Sequence, residues 1–169
     1  MNTLETLSTR RSIRQFTSEP VSNADLDTLL RAAMAAPSAS NERPWRFLVT
    51  REQARREALA NATPYAKPLI SAPVGIVVCA ETGVCKHDGF WVIDCSAAIE
   101  NLLLAAHALG LGAVWMGVHP HPALVASVRA VAGLPAGIEP HSMIALGHPA
   151  EERPSIDRYD ASFIHSERW

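Results

Sequence analysis

Two short stretches near the N-terminus concentrate side chains able to do chemistry. Thr9-Arg10-Arg11-Ser12-Ile13-Arg14 gathers three guanidinium groups around a hydroxyl. Guanidinium groups grip phosphate oxygens through paired, charge-assisted donors, and a hydroxyl adds another. In an extended backbone alternate residues share a face, so Arg10, Ser12 and Arg14 would converge on one anion. Arg11 would point away, toward solvent or an ion pair. Taken alone, such a pattern is more often a solvated basic stretch. The second stretch, Ala36-Pro37-Ser38-Ala39-Ser40-Asn41-Glu42-Arg43-Pro44-Trp45, is a small polar loop bounded by prolines and closed by an aromatic. Ser38, Ser40 and Asn41 offer donors and acceptors suited to the edge of a heteroatom-bearing ring. Arg43 could face a carbonyl or ring nitrogen. Serine and asparagine equally favour plain turns. Together the two stretches suggest a phosphorylated aromatic cofactor.

Other constellations are weaker. Cys79, Cys85 and His87 are spaced more widely than zinc ligands usually are, with no second close pair, so no metal is expected. The scattered histidines read as surface or capping groups, although His119-Pro120-His121 could border a substrate pocket. Gly110, Gly112 and Gly117 make no dinucleotide fingerprint, and neither a phosphate loop nor a nucleophile elbow is present.

The chain has 169 residues, 48% of them hydrophobic, with a formal net charge of -2. That is one domain's worth of sequence (1–169), with enough apolar material for a core. The charge argues against a general nucleic-acid binder. No apolar run of membrane-spanning length is free of charge, and Glu5 interrupts any secretory signal. Three cysteines suggest no disulfide framework. The expectation is a soluble cytoplasmic protein with reduced thiols and no membrane partner.

The elements that must position these residues can be read from periodicity and punctuation. Thr3–Thr9 reads as a short helix. Ser22 and Asp25 form a helix-start box ahead of Leu26, Leu29, Leu30, Ala33 and Met34, and Pro37 ends that helix. Strands are expected at 46–50, 74–80, 113–118 and 141–147, with helices at 52–61 and 122–132 and a polar loop at 81–89. A long helix over 90–109, apolar on most sides, should be buried on most sides, partly in a subunit interface. The segment 155–169 carries Tyr159, Phe163, Ile164 and Trp169 without a core pattern, so it is expected to lie across a partner subunit. Alternating strands and helices give an α/β or α+β sandwich.

Arg10 to Arg14 resembles the N-terminal signature of the FMN-dependent nitroreductase family, and Pro37 to Trp45 resembles its second. The likeness continues through Asp94 to Ala106, Gly110 to Gly117, Ala145 to Glu152 and Arg158-Tyr159, in the family's order and over nearly the whole chain. The resemblance implies an α+β three-layer sandwich, with a mixed sheet flanked by helices, working as an intertwined homodimer. It implies FMN sites built from both subunits, with NAD(P)H as electron donor and a small electrophile such as a nitroaromatic or quinone as acceptor, reduced by ping-pong hydride transfer. By that carry-over Arg10, Ser12, Arg14 and Arg158 hold the phosphate, and Arg11 stands among the cofactor-binding candidates with them. Pro37, Ser38, Ser40 and Asn41 of the other subunit border the ring. Trp115-Met116-Gly117 lies beside the ring, with Gly117 allowing close backbone approach. Arg14 and Arg43 are candidates to stabilise the reduced ring, and no catalytic proton donor is assigned.

Two positions depart from the family pattern. Ile156 stands where a lysine or arginine is frequent, which predicts weaker phosphate binding or support from elsewhere. His148 replaces the tyrosine of Gly-Tyr-Pro and would alter the ring environment. The chain is also short, so insertions that shape substrate pockets in longer members are missing. Two other readings stay open: a flavin-binding carrier or sensor without turnover, and a regulatory dimer without FMN.

Overall fold

The computed structural model describes residues 2–169. In chain order the helices and strands are α1 (Thr3–Thr9), α2 (Asn23–Met34), β1 (Trp45–Thr50), α3 (Gln53–Asn61), α4 (Pro68–Ser71), β2 (Val74–Glu81), α5 (Phe90–Ala108), β3 (Gly112–Gly117), α6 (Pro122–Ala132) and β4 (Ile138–Gly147). Helix starts follow their caps. Asn2 and Glu5 close a reciprocal capping box on α1. Ser22 accepts the Asp25 amide at 3.0 Å on α2, as the sequence predicts. Pro122 opens α6, and Gly133, left-handed at φ 66°, closes it.

The four strands form one sheet in the order β1-β2-β4-β3, each neighbouring pair antiparallel. The four strands are thus antiparallel throughout; the isolated bridge from Ser12 to Ala113, outside the named strands, is parallel, where the arginine segment runs along the outer edge of β3. Alternation of side chains builds two cores, one on each face of the sheet. On one face α2 and α5 pack Leu29, Ala33, Ile99 and Leu102 against Val74, Ile76, Val78 and Ile144. On the other, α3, α4 and α6 pack Leu59, Leu69 and Val128 against Val77, Met143 and Ala145. The result is the expected three-layer α+β sandwich.

Helix α5 is the central support. Asp94, Cys95, Ala98, Ile99, Leu102, Leu103 and Ala106 are buried at helical spacing. By length and composition α5 is apolar enough to cross a membrane, but these residues face protein. Ile93 and Phe90, on the same helix, remain exposed.

Close packing explains one glycine. A Cβ at Gly112 would come within 2.7 Å of Ile13 Cγ2. The missing side chain lets the arginine segment lie against β3, with Ile13 N–H donating to the Ala113 carbonyl at 3.0 Å.

Candidate functional site

The arginine segment is extended and tied down at both ends. At one end α1 leads into it, and Thr9 Oγ1 lies 2.8 Å from His107 Nε2 on α5. At the other, the Glu151 carboxylate accepts the backbone amides of Arg14 at 2.6 Å and Gln15 at 3.2 Å. Those amides, chiefly Arg14's, hold the Glu151 carboxyl below its ordinary range. Between the anchors, Ser12 sits at the β3 edge and the Arg10 side chain turns toward α5. Arg10 Nε lies 3.2 Å from Glu100 Oε1, outside hydrogen-bond geometry, so this buried N–H has no hydrogen-bond partner.

Arg11 has a role the sequence did not show. Its Nε donates to the Pro154 carbonyl at 2.9 Å, and Nη2 donates to the Ile156 carbonyl at 3.1 Å. Nη1 donates to the Arg10 carbonyl at 2.6 Å. Arg11 therefore turns toward the C-terminal segment rather than solvent, and, contrary to simple alternation, it borders the same cavity as Arg10. The clamp brings that segment over α1. There Arg10, Arg11, Ser155, Asp157 and Arg158 line a cavity of about 340 Å³. Two guanidinium groups remain for an anion, Arg10 and Arg158, which lie far apart in sequence. Ile156 contributes its backbone carbonyl, not a charge, and its side chain is exposed.

The same edge strand continues to the other candidates. From Ala113, opposite Ser12, to Gly117 is four residues, roughly 13 Å at about 3.3 Å per residue. Trp115 is 36% exposed on the α5 side of the sheet, and a Cβ at Gly117 would meet nothing within 4 Å. Met116 points the other way, buried in the second core, so only its backbone is available. An elongated ligand lying on this edge would have cations at one end and an open, aromatic-flanked strand at the other.

Pro37, Ser38, Ser40 and Asn41 form a separate structure. A single 3-10 turn spans Ala39–Asn41, with Ser40 (φ 49°), Asn41 (φ 56°) and Arg43 (φ 49°) left-handed. That conformation costs an L residue roughly 1–2 kcal/mol. The turn is docked on α5, where Asp94 Oδ1 accepts the Ala39 amide at 3.0 Å. Ser38 Oγ accepts the Arg43 amide at 3.0 Å. Along α5, Asp94 and the Arg10 partner Glu100 are separated by roughly 9 Å at 1.5 Å per residue. Within the protomer, then, the turn and the arginine cavity are distinct surfaces on the same helix. His148 lies at the rim of neither, its Nε2 3.7 Å from Glu19.

Beside Trp115 lies a buried histidine. His141 is 5% exposed, with its ring 5.7 Å from Trp115 and 6.1 Å from Trp91. Trp91 in turn meets His119 edge-on at 4.7 Å. The His141 Nε2–H donates to the Val92 carbonyl at 3.1 Å, which fixes the tautomer. Its core position corrects the expectation of surface histidines, and no local spacing announces it. Burial, against that carbonyl's opposing pull, pushes the imidazole down to about 4. The unfolded chain then takes up a proton near pH 6.5 that the folded chain refuses. Stability is expected to be full above pH 6.5 and to fall by on the order of 2–3 kcal/mol as pH drops toward 4. Urea unfolding at pH 7 and pH 4.5 checks this, with His141→Gln expected to remove most of the difference.

Among the described residues no group of three or more His, Cys, Asp or Glu side chains could hold a metal ion. Burial pushes the Cys79 and Cys95 thiols up to about 12, which leaves them unreactive.

The nitroreductase family model matches residues 7–66 and 63–148. A protein of Methanothermobacter thermautotrophicus, provisionally named NADH dehydrogenase/NAD(P)H nitroreductase, is 45% identical over 169 residues, covering all of this chain and 88% of that one. A solved structure from Parabacteroides distasonis with the same provisional name matches at a TM-score of 0.95 and 39% identity, over the full length of both chains. A provisionally named nitroreductase from Desulfovibrio desulfuricans, solved in complex with FMN, matches at a TM-score of 0.87 and 33% identity, over 100% of this chain and 98% of that one. The chain belongs to the nitroreductase family.

Proposed function

We propose that the protein is an FMN-dependent oxidoreductase that uses NAD(P)H to reduce small electrophiles such as nitroaromatics and quinones, with the two substrates using the site in turn. The observation that carries this reading is the convergence of Arg10 and Arg158 on one cavity beside α1; Arg10 lies two residues from Ser12, which bridges Ala113 on the strand that leads to Gly117. The residues fit the cofactor: the buried, unsatisfied Arg10 Nε–H suits a phosphate oxygen, and the open face at Gly117 suits a flat ring. The FMN-bound relative and the NAD(P)H nitroreductase name of the Methanothermobacter relative support it.

Bound FMN supplies the hydride acceptor and donor. Arg10 and Arg158 bind its phosphate in the cavity they share, and Ser12 and Arg14, which lie outside that lining, support it from the adjoining extended segment. Arg11 acts indirectly, by holding the backbone that carries Arg158. Trp115 and the Gly117 backbone flank the ring, and Arg43 is available to a carbonyl at its edge. Glu151 keeps the Arg14 backbone extended so that the cations stay aligned. Steady-state oxidation of NADH or NADPH by the FMN-loaded protein, with menadione or nitrofurazone as acceptor, distinguishes an enzyme from a carrier. Turnover supports the proposal, and FMN binding without turnover favours the carrier.

The reading includes a cytoplasmic homodimer in which each subunit lends its 37–41 turn to the other's site. Exposed apolar surface supports this. Tyr159 (73%), Phe163 (79%) and Trp169 (100%) find no cover on their own protomer. Phe90 and Ile93 are bared on α5 as well. Deleting residues 160–169 is expected to weaken the dimer, so that the mass by light scattering falls on dilution toward that of one truncated chain, below the 18.3 kDa of the full chain. An unchanged mass would count against a tail lying across the partner.

A further inference from the structure

We propose that Asp94 is the positioning residue of the ring-side turn. Its buried carboxylate holds the Ala39 amide and so fixes Ser40 and Asn41 where they border the flavin ring. This inference rests on the flavin reading above and adds a residue whose role neither stretch of the sequence declares.

Asp94 is 4% exposed on a helix whose neighbouring buried positions are Cys95, Ala98 and Ile99. One carboxylate oxygen accepts the Ala39 N–H at 3.0 Å, while Oδ2 is buried with no hydrogen-bond partner. A carboxylate withdrawn from water with half its acceptor capacity unused is a poor choice for packing alone. What it does make is one contact to the backbone of a strained turn. Ser40, Asn41 and Arg43 are all left-handed, a conformation that persists only when surrounding groups hold it. Two clamps bracket those residues: Asp94 at the Ala39 amide and Ser38 Oγ at the Arg43 amide. The first anchors the turn to α5; Ser40 Oγ, 3.4 Å from His87 Nε2, and Glu42, accepting the Lys86 amide at 3.0 Å, link its far side to the 82–89 loop. Between the clamps Ser40 and Asn41 are exposed, with Ser40 Oγ beside that histidine. Asp94 acts on the flavin through the turn, not by contact.

The test is binding of FMN and of riboflavin, followed by quenching of flavin fluorescence, with D94A and D94N. Riboflavin lacks the phosphate, so a defect at the ring end weakens both ligands. D94A is expected to bind both about tenfold more weakly or worse, as loss of the hydrogen bond between α5 and the turn implies. D94N keeps an oxygen facing Ala39 and is expected to stay within about threefold of the wild type, since geometry rather than charge holds the turn. The Ala39 amide of the wild type should be protected from hydrogen exchange. Undiminished binding of both flavins by D94A overturns the proposal, as does a loss confined to FMN, which would put the effect at the phosphate end. If D94A does not fold, D94N and the wild-type Ala39 amide decide: a tenfold defect in D94N, or an unprotected amide, overturns it. A wild-type chain that binds neither flavin overturns the flavin reading and this inference together, and is recognised because the defect precedes any substitution.

Discussion

Leu102→Ala is expected to lower the free energy of unfolding by about 2–5 kcal/mol, because a fully buried leucine leaves both lost transfer energy and a cavity. Leu102 is 0% exposed in the middle of α5, within the core that joins α2 and α5 to the sheet. Ile99, Ile144 and Leu146 belong to the same core cluster but to two different elements, α5 and β4. Urea denaturation should show a lower midpoint with an unchanged slope. A loss below about 1 kcal/mol would mean that α5 is not the central support, since only exposed or readily collapsing sites lose so little. The consequence for function is indirect but real. Asp94, Glu100 and His107 hang the 37–43 turn, Arg10 and α1 from this one helix.

Arg10→Ala is expected to weaken FMN binding roughly 10- to 100-fold, the equivalent of about 1.5–3 kcal/mol for a hydrogen bond to a charged group. Riboflavin binding should be nearly unchanged, because the lost contact is to phosphate. The partner left behind, Glu100, is half-exposed and readily hydrated, so folding should suffer little. Arg158→Ala should give the same pattern. Equal FMN affinity in Arg10→Ala and the wild type would remove the phosphate assignment from this end of the chain. Arg11→Ala differs in kind: it frees the backbone at Pro154 and Ile156, and so acts by loosening the segment that carries Arg158.

Much of this was legible in the sequence where the signal is local. Caps at Ser22 and Pro122, the helical spacing of α5 and the extended Arg10–Arg14 segment all follow from contacts a few residues long. Strand β2, apolar at nearly every position, could be recognised as buried on both faces, but not as antiparallel to both its neighbours. Sheet order depends on long-range pairing that no short pattern encodes. Four-residue α4 is too short to show a period. The Glu151 clamp on Arg14 spans 137 residues, and the Arg11 clamp on Pro154 spans 143, so sequence showed charges without showing partners. The ring-side residues were recognisable as a turn, yet their left-handed geometry and their tie to Asp94 belong to tertiary structure. Ile156 shows both limits. Its sequence position signals a missing cation, whereas its backbone carbonyl is part of the Arg11 clamp that brings Arg158 to the cavity.

The most direct test of the central claim is the visible absorption spectrum of the purified, FMN-loaded protein during anaerobic addition of NADH and then NADPH. The account predicts a yellow protein whose flavin band bleaches with at least one of the two donors and returns when menadione is added. A protein that takes up no FMN, or one whose bound flavin stays oxidised in excess of both donors, would contradict it.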